Sequence, residues 1–327
     1  MHEQLHVVTL KSREGMRMVR VTAPDEEFKE RILPFLGHKG QPWERPMRDA
    51  LDGDPAFGDL ATHFYLGLLG DTVVGNITHV EKLNRPVGIL QHVFTPPEQR
   101  RKGICTALMR ACTEDFTARG GRALYLGTGY DTSPYHIYRS FGFEGLGETG
   151  WMQWFPEPDF EITFFAPSPA RVRELTWGDW PLTHALTVVR DGWILRSIEF
   201  QAYGFEGFEQ QYLELQQRLE QERIVAAPCL EAQSGAVVGF ATLTRQPQWH
   251  FDTLLLDFFV HRNFYDQAQA LLGALPEREE KVQCFVDAEA TAKADALQAA
   301  GFEKEGTLKR QLRWDDRYLN VDVYARF

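Results

Sequence analysis

The basic run Arg100-Arg101-Lys102 is followed at once by Gly103. It stands between a strand-like stretch ending Val93-Phe94-Thr95 and a segment carrying Ile104, Leu108, Cys112 and Phe116 at helical spacing. Those residue types in that order make an anion cradle. The first N–H groups of a helix have no internal partner, and the helix dipole adds positive potential at that end. Gly103 reaches backbone conformations closed to other residues and lets a phosphate approach closely. The three basic side chains add mobile charge, so a pyrophosphate is the natural guest. On its own, the loop is equally a solvated basic turn leading into an ordinary helix.

A second segment favours the first of those alternatives. Asp131-Thr132-Ser133-Pro134-Tyr135-His136-Ile137-Tyr138-Arg139-Ser140-Phe141-Gly142-Phe143 reads as a short helix closed by glycine and entering a strand. Together the two segments resemble the GNAT superfamily of N-acetyltransferases over roughly residues 16–166. The family's (Gln/Arg)-x-x-Gly-x-(Gly/Ala) loop is met by Arg100-x-x-Gly103-x-Cys105. Its Asn-x-x-Ala-x-x-Leu-Tyr-x-x-x-Gly-Phe stretch is met by Asp131, Pro134, Ile137, Tyr138, Gly142 and Phe143. Two positions depart from the pattern: Cys105 replaces a glycine or alanine, and Asp131 replaces an asparagine.

The resemblance implies direct acetyl transfer from acetyl-CoA to an amine, with no metal. Acetyl-CoA would lie between the strand ending at Thr95 and the strand at Ala123–Leu126. Its contacts would come from Val93, Phe94, Thr95, Arg100, Arg101, Lys102, Gly103, Ile104, Cys105 and Asp131. Backbone N–H groups near Val93–Thr95 would polarise the thioester carbonyl, and Tyr138 would protonate the departing thiolate. As general base, His92 on the central strand is favoured, with His79, Glu81, His63 and a chain of waters as the alternatives. A nucleophilic Cys105 has no histidine partner in view, and a small buried hydrophobe is the better reading of it. The implied acceptor is a small-molecule amine. A protein tail is a less favoured acceptor, and a non-catalytic acyl-CoA-binding or regulatory module is the rival from another class.

The elements needed to hold these residues read as α/β. Helices are expected over about 25–36 and 43–51, over Ile104–Ala118 and over Ser133–Ser140. Strands are expected at Thr62–Leu69, Thr72–Val80, Val87–Thr95, Ala123–Leu126, Thr149–Phe155 and Phe160–Ala166. Ala166-Pro167-Ser168-Pro169 suits a stiff connector. Across it the chain resembles itself three times in the same order. Val73-Val74-Gly75 pairs with Val237-Val238-Gly239, Gly142-Phe143-Glu144 with Gly301-Phe302-Glu303, and Ile162–Ala166 with Val321–Ala325. The expectation is two tandem GNAT-like domains, each a mixed, mostly antiparallel sheet flanked by helices. Residues 1–166 would be catalytic and 170–327 a degenerate copy, because the later half has no glycine loop near Asn263 and has Leu297 where Tyr138 would fall.

Composition bounds the rest. A chain of 327 residues exceeds one ordinary core, and 43% hydrophobic with 25% charged residues is globular. A net charge of -11 argues against nucleic-acid or anionic-membrane partners. The four cysteines have no metal-site or paired spacing, and the opening residues have no leader pattern. A cytoplasmic monomer or homodimer is expected.

Overall fold

The computed structural model describes residues 1–250 and 252–327. They form two compact units, Met1–Phe160 with Thr176–Leu182, and Glu161–Leu175 with Thr183–Phe327. The division therefore does not fall at the 166/170 connector. Ser234 Oγ donates to the Phe164 carbonyl at 2.6 Å and Asn263 Nδ2 to the Phe165 carbonyl at 2.9 Å, which ties those residues into the second unit. Thr176–Leu182 returns to the first unit. There Trp177 stacks on Phe57 with centroids 4.4 Å apart, Gly178 N donates to Asp59 at 3.0 Å, and Lys82 Nζ meets Asp179 at 2.9 Å.

In the first unit the elements are β1 (His2–Thr9), β2 (Gly15–Thr22), α1 (Glu26–Ile32), α2 (Gln41–Leu51), β3 (Leu60–Leu69) and β4 (Thr72–Lys82). They continue as β5 (Val87–Phe94), α3 (Ile104–Ala118), β6 (Ala123–Gly127), α4 (Ser133–Ser140), β7 (Glu144–Gly145) and β8 (Trp151–Trp154). The sheet order is β1-β2-β3-β4-β5-β6-β8-β7. Only β5 and β6 run parallel, so α3 is the crossover between them. β3 and β4 are buried along nearly their whole length, as strands covered on both faces must be. α1 opens on Asp25, whose carboxylate accepts the Phe28 N–H at 3.0 Å.

The chain continues through α5 (Phe160–Phe164), β9 (Ala170–Glu174) and α6 (Trp180–Thr187), the last of which belongs to the first unit up to Leu182. The second unit goes on with β10 (Leu195–Ser197), β11 (Ala202–Tyr203), α7 (Glu209–Glu220), β12 (Ile224–Ala226) and β13 (Pro228–Ala232). Then come β14 (Val237–Arg245), β15 (Thr253–Val260), α8 (Ala268–Gly273), β16 (Lys281–Asp287), α9 (Thr291–Ala299), β17 (Glu303–Trp314) and β18 (Arg317–Arg326). Read from β9, the sheet runs β9-β13-β14-β15-β16-β18-β17, with β15 and β16 its parallel pair. This is the order of β2 to β7 in the first unit. Both units are thus mixed, mostly antiparallel sheets flanked by helices.

Two of the three self-matches fall on equivalent elements. Val73–Gly75 and Val237–Gly239 lie at the starts of β4 and β14, and Gly142 and Gly301 follow α4 and α9 with φ of 88° and 84°. The third does not. Val321–Ala325 lies in β18, whose counterpart is β8, whereas Phe160–Ala166 is not a strand at all. Phe160 and Phe164 are buried one helical turn apart while Ile162 between them is 76% exposed. That is a period of about 3.6, and α5 follows it.

Five histidines among the described residues are buried: His63, His79, His92, His184 and His261. Burial lowers His79, His92 and His184 to about 3 and His261 to about 4, so these four are neutral when folded. The unfolded chain takes up a proton at each near 6.5. Their contribution is therefore complete above pH 6.5 and is lost as pH falls toward 3. Each such histidine is expected to lose about 2 kcal/mol between pH 7 and pH 5. Thermal melting followed between pH 8 and pH 5 checks this; a flat profile down to pH 5 would show that the histidines do not stay neutral.

Candidate active site

The site begins where β5 and β6 part. Their parallel register holds at Val87↔Ala123, Gly88↔Leu124 and Ile89↔Tyr125 and goes no further. On its other side β5 pairs with β4 through Thr78↔Gln91 and Asn76↔Phe94, so His92 and Val93 together stand opposite Ile77. This bulge bends β5 away from β6. His92 takes a φ of 44°, and Asn76 Nδ2 donates to its carbonyl at 2.9 Å, pinning the distortion.

The opening is a cleft of about 740 Å³. One wall is β5 from Leu90 to Phe94 with Thr95, and the facing wall is Leu126–Thr128 with Ser133, Pro134, Ile137 and Tyr138 of α4. At its head is the start of α3. Gly103 has φ 89° and ψ 6°, and the first bond into the helix is Ala107 N to the Gly103 carbonyl at 3.0 Å. No side chain caps that end. The N–H groups of Ile104, Cys105 and Thr106 are those a helix leaves without internal partners. Arg101, at φ 65°, and Gly103 alternate left-handed turns in the loop, which concentrates N–H groups on one side. A Cβ built on Gly103 would meet only Lys11 Cγ, at 3.9 Å, so the space before the loop is open.

Lys11, Lys39, Arg100 and Arg101 line the cleft, and no carboxylate does among the described lining residues. In a chain of net charge -11 this is a local reversal of sign, and an anion with a phosphate chain fits it. Arg100 is oriented by its Nε bond to the Thr95 carbonyl at 3.1 Å.

Of the residues named from sequence, His92, Val93, Phe94, Thr95, Arg100, Arg101, Gly103, Ile104, Cys105 and Tyr138 all border this cleft. Lys102 and Asp131 do not. Lys102 Nζ turns to Gln99 Oε1 at 2.8 Å, and Asp131 is paired with His136 at 3.1 Å. Tyr138 is buried, its ring 6.0 Å from that of Phe143. Cys105 is half-buried, and burial pushes its thiol up to about 11, which suits a packing residue rather than a nucleophile.

The base candidates separate. His63, His79 and Glu81 lie on the α3 side of the sheet. There His63 Nε2 is 3.2 Å from Glu81, Arg119 of α3 pairs with Glu81, and Tyr65 donates to Asp115 at 2.6 Å. Burial would raise the Glu81 carboxyl, but His63, His79 and Arg119 bring it down to about 2. This network fastens α3 to the sheet and does not border the cleft. His92 does, yet burial lowers it to about 3 and its Nε2 is 3.2 Å from the Trp43 carbonyl. A base that weak does not take a proton from an ammonium group at neutral pH.

Three cleft residues had no signal in the sequence. His38 stacks on Phe94 at 4.7 Å, Lys39 lies 4.5 Å over the Trp43 ring, and Lys11 reaches the loop through its N–H bond to the Lys102 carbonyl at 3.1 Å. They come from irregular turns, where no periodicity marks a facing side.

In the second unit the corresponding split is occupied by the chain itself. β15 and β16 part after Leu256↔Cys284. Just past that point β10 bridges them. Leu195 N donates to Asp287 at 3.1 Å, Lys293 Nζ to the Leu195 carbonyl at 2.9 Å, and Ser197 Oγ to Asp257 at 2.7 Å. α8 has only six residues, and Leu297, fully buried, stands where α4 carries Tyr138.

No helix among the described residues is long and apolar enough to cross a membrane, and no group of three or more His, Cys, Asp or Glu residues there is placed to hold a metal ion.

Residues 26–143 match the model of the Acetyltransferase (GNAT) family. A search of curated proteins gives no match. Similar solved structures include a ribosomal-protein-alanine N-acetyltransferase from Brucella melitensis, 20% identical over 48% of this chain and 98% of that one, TM-score 0.39. An N-acetyltransferase from Staphylococcus aureus Mu50 is 19% identical over 49% and 98%, TM-score 0.39. A spermidine N-acetyltransferase from Vibrio cholerae, in complex with CoA and spermine, is 17% identical over 48% and 94%, TM-score 0.37. With the loop and the strand order described above, the family match identifies the N-terminal unit as a domain of the GNAT acetyltransferase family.

Proposed function

We propose that the first unit is an N-acetyltransferase that moves the acetyl group of acetyl-CoA directly to the amine of a small molecule. The observation that carries this reading is that the uncapped start of α3 and the side chain of Tyr138 open onto one cleft. Acetyl-CoA, when bound, supplies the activated thioester. The N–H groups of Ile104–Thr106 hold the diphosphate, with Arg100 and Arg101 beside it. Backbone donors of the bulged Val93–Thr95 segment orient the thioester carbonyl and stabilise charge on its oxygen. The Tyr138 hydroxyl gives its proton to the leaving sulfur and regains one from solvent. The acceptor amine enters neutral or loses its proton to water, because neither His92 nor the His63–Glu81 network serves as base. The second unit, with its split filled by β10 and Leu297 in place of a tyrosine, is read as a copy that has lost acetyl-CoA binding.

Cys105 supplies a direct test. It borders the cleft, while Cys112, Cys229 and Cys284 are fully buried. N-ethylmaleimide is expected to label Cys105 first, slowly at neutral pH and faster as pH rises toward 11. Saturating acetyl-CoA should slow that labelling, and mass analysis should find an acetylated amine from a panel of small amines. Labelling unaffected by acetyl-CoA would overturn the binding reading. Protection without any acetylated amine would leave an acyl-CoA-binding module instead of an enzyme.

A further inference from the structure

The second unit holds a cavity of about 410 Å³ between β10–β11 and the sheet strands β15 to β18. Its floor is apolar, formed among others by Leu195, Leu255, Phe285, Leu312 and Val321. Its polar side chains are all uncharged: the amides of Gln246, Gln248, Gln283 and Gln311 and the hydroxyls of Tyr203 and Thr253. In a chain that is 25% charged, no Asp, Glu, Lys, Arg or His is among the described residues lining it. At its mouth Trp249 is 60% and Leu308 39% exposed, an arrangement of bare apolar surface rimmed by polar groups that marks binding sites.

We infer that this cavity is a ligand site of the second unit, and that its ligand is an uncharged ring compound carrying a carboxamide- or lactam-type edge. The size falls within the range of small-molecule pockets, roughly 300–1,000 Å³. An apolar floor without charged groups penalises an ionised ligand, since nothing there compensates the loss of its hydration. A glutamine amide presents an acceptor and a donor side by side, which is the complement of the same pair on a carboxamide or a nucleobase edge. The amides are partly pre-set. Gln246 Nε2 donates to Glu199 at 2.9 Å and its Oε1 accepts from Gln248 Nε2 at 2.5 Å, while Gln283 Nε2 donates to Glu305 at 3.2 Å. Glu199 and Glu305 thus fix the orientation of two glutamines without lining the cavity themselves. Phe285, Tyr203 and Trp249 supply flat faces against which a ring packs. The inference does not depend on acetyl transfer in the first unit.

The test uses the full chain and two matched pairs of probes, nicotinamide against nicotinate and uracil against orotate. Each pair differs chiefly by a carboxylate. Ligand-observed saturation-transfer NMR at millimolar concentration is expected to detect nicotinamide or uracil, with the carboxylate partner about tenfold weaker or more. Gln283→Leu should abolish the signal. Trp249→Ala, at an exposed position that does not endanger folding, should weaken it severalfold without altering acetyl-CoA protection of Cys105. The inference is overturned if neither neutral probe binds, if neutral and charged partners bind alike, or if both variants bind as the native chain does.

Discussion

Tyr138→Phe is expected to lower kcat by about 10²–10⁴-fold while leaving acetyl-CoA affinity unchanged. The tyrosine ring is buried against Phe143, and phenylalanine keeps that packing. What is lost is one O–H at the α4 wall of the cleft. A proton to the leaving sulfur is required only as the carbon–sulfur bond breaks, so its loss falls on kcat and not on binding. Single-turnover measurement, in which product release does not enter, reads the step itself. A native rate there would remove Tyr138 from the mechanism.

Gly103→Val is expected to weaken acetyl-CoA binding by about fivefold to more than a hundredfold. At φ 89° a β-branched residue is strained by about 1–3 kcal/mol, and it recovers only by rotating the backbone that presents the α3 N–H groups. The protein itself offers no clash, because the added Cβ would have nothing nearer than Lys11 Cγ at 3.9 Å. The variant should therefore fold and lose affinity, which calorimetric titration separates from unfolding. Asn263→Val, at the equivalent turn of the second unit, should leave the titration unchanged. Equal affinity of the Gly103 variant and the native chain would sink the phosphate-loop assignment.

The helices that build the site were legible because their ends are written in the chain. α3 occupies Ile104–Ala118 and α4 Ser133–Ser140, the ranges expected from Gly103, Gly120, Pro134 and Gly142. The β3–β4 hairpin and β5 followed from β-branched runs around Gly70-Asp71. Less legible were features decided by tertiary neighbours. β1 is a largely exposed edge strand with no apolar alternation to announce it. The run Phe160–Ala166 carries strand-forming residues, yet the placement of Phe160 and Phe164 one turn apart selected helix. A bulge at His92 and a strand such as β10 seated in a split between two others depend on partners tens of residues away, and local pattern does not encode them. The chemistry suffers most from this: histidine identity in a strand was visible, but the burial that lowers His92 to about 3 was not.

The return of Thr176–Leu182 to the first unit bears on how the chain comes off the ribosome. Synthesis proceeds from the N-terminus, and domains generally fold as they emerge. Here β9, a strand of the second unit, leaves the exit tunnel before Trp177 and Asp179, which belong to the first. Until then Phe57 has no Trp177 to stack on, and Lys82 has Asp59 but not Asp179. A nascent chain paused at residue 175 thus carries an unfinished first unit beside an unpaired strand of the next. The first unit therefore cannot be completed before the first strand of the second has been made.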